Sequence, residues 1–188
     1  MQHSYYSEYA GVKIRQIEPR DLEQLRVWRN DNSNSRYLRQ IGVISPEMQT
    51  SWYIKYLNDP SIISFAIEET KELKRLVGSV SIYDFDGTSS NCGKTMIGDI
   101  NARGRNLGGR GEILALHVGF QKMGINNYHT EVAKENIASI KMTAGFMGFS
   151  QIGMRVNSDG IIENLYYLTR DDFYKKHPYL LNVEIQEG

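Results

Sequence analysis

The hydrophobic pattern at the start of the chain has first a strand period and then a helix period. Residues 12–17 alternate between the two faces of an extended chain, which predicts a first β-strand. A helix over residues 19–30 follows, and a second helix begins at Pro46 with Ser45 as its N-cap. The pattern therefore opens as strand, helix, helix.

Three strand-like runs come next and predict an antiparallel meander. Apolar runs cover residues 62–68 and 76–83, and a third run begins at residues 94–97. Short polar links at 69–72 and 84–90 join them, as hairpin connections do.

The second half of the chain alternates between helices and strands. The pattern predicts a helix over 107–123, a strand over 127–133, a helix over 136–147, strands over 149–155 and 161–168, and a helical turn over 171–176. The expected fold is a single α/β domain spanning residues 1–188, with a mixed, mostly antiparallel central sheet and helices on both faces.

Composition and charge narrow the function classes. Lys+Arg and Asp+Glu both number 22, so the zero net charge argues against a general nucleic-acid or membrane-surface binder. The single cysteine, Cys92, excludes an internal disulfide framework and fits a reducing compartment. No apolar run reaches the length of a membrane span, and the N-terminus lacks a secretory signal. We therefore expect a cytoplasmic protein, and without a Cys/His cluster at ligand spacing we expect no metal site.

The candidate chemistry lies in a polar, glycine-rich turn between the third strand of the meander and the next helix. The turn carries Arg103, Gly104, Arg105, Asn106, Gly108 and Gly109. Such a turn directs backbone N–H groups and the helix dipole toward one space, where a phosphate can bind. Glycine-rich turns are also common as ordinary tight connections, so the local pattern alone leaves both interpretations open.

Four motifs then follow one another with regular spacing. They are IRQIEPRDLEQLRVWRND, the hairpin FAIEE…LVGSVSIYDFD, IGD followed by RGRNLG, and GIN followed by a helix that contains NIASIK and ends at GF. Together they resemble the GNAT superfamily of acetyl-CoA-dependent N-acetyltransferases over residues 14–172. More narrowly, they are similar to the branch that includes the ribosomal-protein N-terminal alanine acetyltransferases and several amino-sugar and polyamine acetyltransferases (the Rim-type branch).

The resemblance implies a site for acetyl-CoA. The turn amides would hold the pyrophosphate, the end of the strand before it would offer main-chain groups to the pantetheine arm, and the Asn-x-x-Ser pair would contact the coenzyme. These residues are Met96, Ile97, Arg103, Gly104, Arg105, Asn106, Leu107, Gly108, Gly109, Asn136 and Ser139.

The chain departs from the family pattern where the chemistry takes place. Cys92 stands where many relatives have a glutamate base, and Thr143 stands where many have a tyrosine acid. Asn106 replaces the middle glycine of the turn, although asparagine tolerates a positive φ better than other residues. The helix before Gly148 also contains one residue more than the pattern has.

Acetyl transfer to an amine requires that the ammonium lose a proton and that the thiolate leave. Asp84, Asp86, Asp99 and Glu163 are candidate bases, with Asp84 and Glu163 preferred, and Ser139 is the candidate acid near the sulfur. Each carboxylate has an alternative role in a turn or on the surface, and Ser139 has one as a helix serine bonded to the main chain. A covalent route through Cys92 is disfavoured, because no activating base lies near it in sequence.

The acceptor is expected between the first two helices and the end of the hairpin, where Trp28, Arg29, Asn30, Tyr53 and Tyr83 are the candidate contacts. We expect transfer of an acetyl group to a primary amine of a small molecule, with an amino sugar or sugar nucleotide ahead of a protein N-terminus. Acidic residues are not concentrated there, which weakens a polyamine. A non-catalytic acyl-CoA-binding module is the alternative function, and the sequence leaves a homodimer open.

Overall fold

The computed structural model describes residues 1–38 and 42–188, and these contain one nine-stranded sheet. The strands are β1 Tyr5–Tyr9, β2 Val12–Gln16, β3 Ile63–Glu69, β4 Arg75–Tyr83, β5 Ser89–Ile97, β6 Asn127–Ala133, β7 Ser150–Val156, β8 Ile162–Thr169 and β9 Ile185–Glu187. Their order across the sheet is β7-β8-β6-β5-β4-β3-β2-β1-β9. Strands β5 and β6 run parallel, and the other neighbours pair antiparallel. The predicted mixed α/β fold is confirmed.

The helices connect these strands. They are α1 Leu22–Asn30, α2 Asn32–Ser35, α3 Pro46–Asn58, α4 Leu107–Lys122, α5 Ile137–Ile140 and α6 Arg170–Lys176. Short 3₁₀ turns cover Pro19–Asp21, Ile100–Ala102 and Pro178–Asn182, and α5 continues as a π-helix over Lys141–Met147. Ser45 caps α3 as predicted, because its hydroxyl accepts a hydrogen bond from the Met48 amide at 3.3 Å.

The two faces of the sheet have separate cores. Helices α4 and α6 pack on one face with side chains such as Ile67, and helices α1 and α3 pack on the other with Ala66. Since neighbouring residues of a strand point to opposite faces, the two clusters lie on opposite sides of β3. We call them the α4 side and the α1 side.

Helix α4 lies unusually close to the sheet because it contains glycines where it crosses the strands. A Cβ on Gly111 would lie 3.0 Å from Ile67 Cγ1, and one on Gly108 would lie 3.3 Å from Ile97 Cγ1. A Cβ at either position would force these isoleucine side chains to shift, whereas glycine allows the close approach. The start of α4 is thereby held against the end of β5.

Strands β1 and β9 were not predicted from the sequence. Strand β1 forms a hairpin with β2 through Ala10 and Gly11, which both have positive φ (51° and 80°), as a two-residue hairpin turn requires. Strand β9 then adds to β1 at the sheet edge. Both strands are short, and their sequences alternate weakly.

The third strand of the meander is longer than predicted. Strand β5 begins at Ser89, inside the link predicted over 84–90. The pattern missed its first half because Ser89, Ser90 and Asn91 are polar. These residues pair with β6 on one side, and Asn91 pairs with Tyr83 of β4 on the other.

The π-helix explains the additional residue before Gly148. Within Lys141–Met147 the helix widens, and the amides of Gly148 and Phe149 both donate to the Thr143 carbonyl at 3.1 Å. A wider turn accommodates one more residue without changing where the next strand begins. Gly148 ends the helix with φ of 94°.

Gly119→Ala is expected to destabilise the protein by about 1–3 kcal/mol, because the new methyl group would overlap the hydroxyl of the buried Tyr128. Urea denaturation of the variant and wild type measures the difference. Gly145→Ala is the matched control, because a Cβ there meets nothing within 4 Å and should leave the stability equal or slightly higher. Equal stability of Gly119→Ala and wild type would contradict the close contact between α4 and β6.

Candidate functional site

Strands β5 and β6 separate after a short parallel contact. Residues Ser89, Ser90 and Asn91 pair with Asn127, Tyr128 and His129, and no pairing joins the rest of the two strands. Beyond that contact, β5 pairs with β4 alone and β6 pairs with β8 alone. The space between residues 92–97 of β5 and residues 130–133 of β6 is the strand gap.

The N-terminus of α4 opens beside the end of the strand gap. The turn before it uses Gly104 and Asn106 in the left-handed region, with φ of 74° and 54°. Asn106 is the N-cap of this 16-residue helix but makes no side-chain cap, and the first turn carries no acidic residue. The first amides and the helix dipole are therefore available to an anion, so the loop fits a pyrophosphate group.

The arginines of the turn hold its shape. Arg103 donates to the Ser33 hydroxyl at 3.2 Å and to the Asn34 side chain, which ties the turn to α2. Arg105 forms ion pairs with Glu69 at 3.5 Å and Glu72 at 3.1 Å. These contacts fix the turn relative to the end of β3, and the main-chain amides are its candidate anion-binding groups.

The helix after β6 forms the other wall. Asn136 caps α5 through its Oδ1, which accepts from the Ser139 amide at 3.1 Å. The Ser139 hydroxyl is half-buried and has no hydrogen bond within the described ranges, so the alternative of a bond back to the main chain is not observed. Phe146 of the π-helix lies next to the N-terminus of α4, because a Cβ on Gly109 would lie 3.0 Å from its Cδ1. Thr143, in contrast, is only 2% exposed.

The preferred base candidates are both engaged with neighbours. Asp84 accepts a hydrogen bond from Asn91 Nδ2 at 3.0 Å. Glu163 accepts from Arg155 Nε at 3.1 Å and from Asn157 Nδ2 at 3.0 Å. Asp84 directly follows β4 and Glu163 lies on β8, the outer neighbours of the two strands that border the gap, so their place in the chemistry stays a prediction.

The two other carboxylates have structural roles. The backbone amides of Ser89 and Thr88 lower the pKa of Asp86, which closes the turn before β5. Asp99 accepts from the Asn101 amide and forms a 2.7 Å ion pair with Arg75.

The five acceptor candidates do not form one pocket. The Trp28 ring packs against the Gly98 backbone, whereas Tyr83 lies five residues farther along β4 from the residue paired with Ile97, roughly 15 Å away. Tyr53 is buried and donates to the Ile17 carbonyl at 3.1 Å. Tyr83 and Trp28 therefore lie near opposite ends of the strand gap, since Tyr83 pairs with Asn91 and Gly98 directly follows Ile97.

The remaining two candidates lie on α1. The Asn30 side chain is occupied by Ile44, since it accepts from that residue's amide at 2.8 Å and donates to its carbonyl at 2.9 Å. Partial burial lowers the pKa of Arg29. Asn30 therefore anchors the connection between α2 and α3.

The structure adds charged groups that the sequence analysis did not select. Lys94 has φ of 51° within an irregular part of β5, and its ammonium lies 3.6 Å from the Tyr83 ring centroid. Glu131 of β6 forms an ion pair with Arg155. Burial raises the pKa of Glu131, and the negative charges of Glu163 and Asp84 add to the increase, although Arg155 opposes it. We call Asp84, Glu131 and Glu163 the acidic mouth of the gap.

Glu112 is a third charged residue that the sequence did not reveal. It faces β5 from α4, is 2% exposed, and accepts a 2.7 Å hydrogen bond from the Thr95 hydroxyl. Burial raises its pKa to about 7, and the hydrogen bonds from Thr95 and Cys92 oppose this only in part. The signal in the sequence that could have revealed Glu112 was a polar residue on an otherwise apolar face of the helix.

Cys92 lies beside this carboxyl and is buried. Burial and the charge of Glu112 raise the pKa of the thiol well above its usual value. The thiol therefore stays protonated near neutral pH, which argues against a nucleophilic role.

A separate cleft of about 780 Å³ lies on the α1 side, under residues 98–103. Its walls include Arg15, Asp21, Trp28, Glu68, Arg75 and Asp99. Arg15 pairs with Asp21 and Glu68, and Arg75 pairs with Asp99. With Arg20, Arg103 and Asp31 also in the lining, the cleft has four arginines and four carboxylates, so its charges are balanced, in contrast to the uncapped start of α4.

The sequence profile of the acetyltransferase (GNAT) domain matches residues 12–149. The chain belongs to the GNAT acetyltransferase family. This GNAT protein is an acetyl-CoA-dependent N-acetyltransferase. No functionally curated sequence matches it.

Solved structures share the fold. A spermidine N-acetyltransferase from Vibrio cholerae, in complex with CoA and spermine, has a TM-score of 0.78 at 19% identity and covers 88% of this chain and 99% of its own. A domain from Methanocaldococcus jannaschii has a TM-score of 0.70 at 24% identity, with 84% and 97% covered. A GNAT acetyltransferase from Bacillus anthracis has a TM-score of 0.73 at 17% identity, with 88% and 99% covered.

No helix in residues 1–38 and 42–188 is long and apolar enough to cross a membrane. Over the same ranges, no group of three or more His, Cys, Asp or Glu side chains is arranged to hold a metal ion.

Because the pKa of Glu112 is raised in the folded protein, the free energy of unfolding should depend on pH. Between its usual value of 4.5 and about 7, the folded protein holds a proton on Glu112 that the unfolded chain has lost. Glu112 therefore lowers the free energy of unfolding as the pH rises through this window, by about 3 kcal/mol in all. The free energy of unfolding of Glu112→Gln, measured relative to that of wild type, should therefore be about 3 kcal/mol higher at pH 8 than at pH 4. Denaturation at both pH values measures it.

Glu184→Gln is the matched control, since Glu184 is exposed and should change the pH dependence little. Parallel stability curves for wild type and Glu112→Gln would show that the carboxyl does not titrate in this window.

Proposed function

We propose that this GNAT protein transfers the acetyl group to a primary amine of a small molecule, with an amino sugar or sugar nucleotide as the preferred class. The observation that carries the proposal is the acidic mouth beside the strand gap. Asp84 bonds to Asn91, the last residue of β5 that pairs with β6, and Glu131 and Glu163 approach from β6 and β8. These carboxylates attract an ammonium group to the place where the two strands separate.

The charge at the mouth suits an acceptor with one ammonium group. Three carboxylates stand against Lys94 and Arg155, which leaves one negative charge unbalanced. The Tyr83 ring adds an aromatic group at the mouth, and the Lys94 ammonium covers one of its faces at 3.6 Å from the centroid. The three carboxylates come from segments that are far apart in the sequence and meet only in the fold. For this reason the sequence shows no acidic cluster near the first two helices.

The coenzyme would lie in the strand gap. Acetyl-CoA supplies the acetyl group as an activated thioester. The amides of residues 104–109 would hold the pyrophosphate, with Arg103 and Arg105 supporting the turn. Main-chain groups of Met96 and Ile97 would orient the pantetheine arm. Asn136, whose Oδ1 caps α5, retains its amide nitrogen for the coenzyme. Support comes from the uncapped start of α4 and from the loss of pairing along β5.

Ser139 is the residue of this wall with an available hydroxyl, so it is proposed to contact the coenzyme near its sulfur. Its role as proton donor stays a prediction, and Thr143 is too deeply buried to replace it. Positioning by these groups supplies much of the expected rate acceleration.

Two other acceptor classes and one alternative function can be distinguished by experiment. A polyamine is a second acceptor class, since the Vibrio cholerae protein of similar fold is a spermidine N-acetyltransferase complexed with spermine. A protein N-terminus is a third, from the resemblance to the Rim-type branch. An acyl-CoA-binding module without turnover is the alternative function, and a homodimer stays a prediction.

Incubation with acetyl-CoA and a panel of amines tests the proposed function. We expect thiol release with an amino sugar to exceed that with spermidine or with a peptide N-terminus. Glu131→Gln should raise the KM for the amine about tenfold with little change in kcat, because one attractive charge, worth about 1.4 kcal/mol, is lost at the mouth. Glu184→Gln should leave both constants unchanged. No thiol release above hydrolysis with any amine would favour the binding module.

Asn106→Val tests the coenzyme site. A β-branched residue at φ of 54° is strained by about 1–3 kcal/mol, so the turn should lose its shape and bind coenzyme A at least about tenfold more weakly. Asn106→Gly should bind like wild type, because glycine adopts this φ without strain. Calorimetric titration with coenzyme A measures both. Wild-type affinity in the valine variant would remove this turn from the site.

A further inference from the structure

Glu112 differs from the other buried carboxylates of the described chain. Asp21 pairs with Arg15, Asp99 pairs with Arg75, and Glu69 pairs with Arg105. No ion pair in the described residues includes Glu112. A carboxyl buried without a cation is costly unless it is neutral, so the fold alone gives no reason to keep it there.

The position of Glu112 connects it to the strand gap. Its hydrogen-bond partner, Thr95, lies in the part of β5 that does not pair with β6. Met96 packs in the α1-side core, so its neighbour Thr95 points to the α4 side, where α4 and α5 form the proposed coenzyme walls. Thr95 is half-buried while Glu112 is almost fully buried, so the hydroxyl stands between the carboxyl and the gap.

We propose that Glu112, acting through the Thr95 hydroxyl, supplies the proton that the departing thiolate of the coenzyme takes up. This inference rests on the proposed function, and it gives the reaction a proton source in a chain whose usual tyrosine position is the buried Thr143. Glu112 is a positioning and proton-storing residue, because Thr95 is the group that would contact the sulfur.

The proton transfers balance. Protonated Glu112 donates to Thr95 Oγ1, which reverses donor and acceptor in the 2.7 Å hydrogen bond and frees the Thr95 proton for the sulfur. The Thr95 O–H bond then breaks as its proton goes to the sulfur, and the Glu112 O–H bond breaks as its proton goes to Thr95 Oγ1. The ammonium of the acceptor loses one proton before it attacks and a second as the amide forms. One of these protons returns to Glu112 through solvent, and the other is released. The products are the amide, the free thiol and one proton.

The chemistry of the pocket fits a donor that works near neutral pH. Burial raises the pKa of Glu112 to about 7, so a large fraction of the carboxyl is protonated there. The titratable groups that act on it are the Cys92 thiol on β5 and the Tyr83 phenol on β4, and burial raises the pKa of both, so they stay neutral. A carboxyl of this acidity can protonate an alkyl thiolate favourably, since ordinary thiols have a pKa of about 8.5.

Single-turnover rates as a function of pH test the proposal. In wild type we expect the rate constant to include a limb that descends as the pH rises through about 7, because deprotonated Glu112 cannot donate. Glu112→Gln should lower the rate constant about a hundredfold at pH 6.5, remove the descending limb, and change the Kd of coenzyme A less than twofold. Thr95→Val should do the same, and Thr95→Ser should retain most of the rate.

Infrared difference spectra provide a second measurement that needs no acceptor. The absorbance of a protonated carboxyl should be lost with a midpoint near pH 7 in wild type and in Thr95→Ser, and should be missing in Glu112→Gln. Glu184→Gln is the matched control, with unchanged spectra and rates. If Glu112→Gln fails to fold, the pH profile of the rate in Thr95→Val and the infrared spectra of wild type test the proposal instead.

The contrary results are distinct. Retention of the descending limb in Glu112→Gln or Thr95→Val, or a carboxyl midpoint near 4.5, overturns the role of Glu112 alone. Loss of the descending limb in Ser139→Ala, together with a wild-type pH profile in Glu112→Gln, would identify Ser139 as the proton donor instead. A wild-type protein that releases no thiol with any amine overturns the proposed function and this inference with it.

Discussion

The short contact between β5 and β6 determines the functional architecture of this protein. Parallel strands normally continue their hydrogen bonding along the shared length, but here the ladder ends after three residue pairs. Each strand keeps its other partner, β4 or β8, so the sheet is stable although it is open in the middle. The unpaired main chain of β5 is then available to a ligand that lies between the strands.

The elements around the gap are held in place by close packing. Glycines bring α4 onto β3 and β5, and the Arg105 ion pairs fix the turn that precedes it. The π-helix brings Phe146 to the start of α4, so both walls meet beside its first amides. In the proposed site, anion binding, pantetheine orientation and acceptor capture fall to different elements: the start of α4, the end of β5, and the acidic mouth formed at β4, β6 and β8.

Much of this arrangement could be predicted from the sequence. The meander, the capped start of α3 and the turn with Asn106 at positive φ follow from local rules of periodicity, capping and backbone sterics, and all are observed. Strands β1 and β9 were missed because tertiary pairing, rather than alternation, stabilises them. The acceptor side was predicted least well. Asn30 and Tyr53 have side-chain partners in the main chain of distant segments, and Glu112 and Glu131 meet their partners only after the sheet has formed.

The strand gap and the start of α4 form the proposed coenzyme site. Backbone amide NMR spectra recorded while coenzyme A is added test this site most directly, because they report each residue separately. We expect the largest shift changes at Met96, Ile97 and residues 104–109, with smaller changes at Asn136 and Ser139. Changes confined to the α1-side cleft around Trp28 and Asp99, with none in residues 104–109, would contradict it.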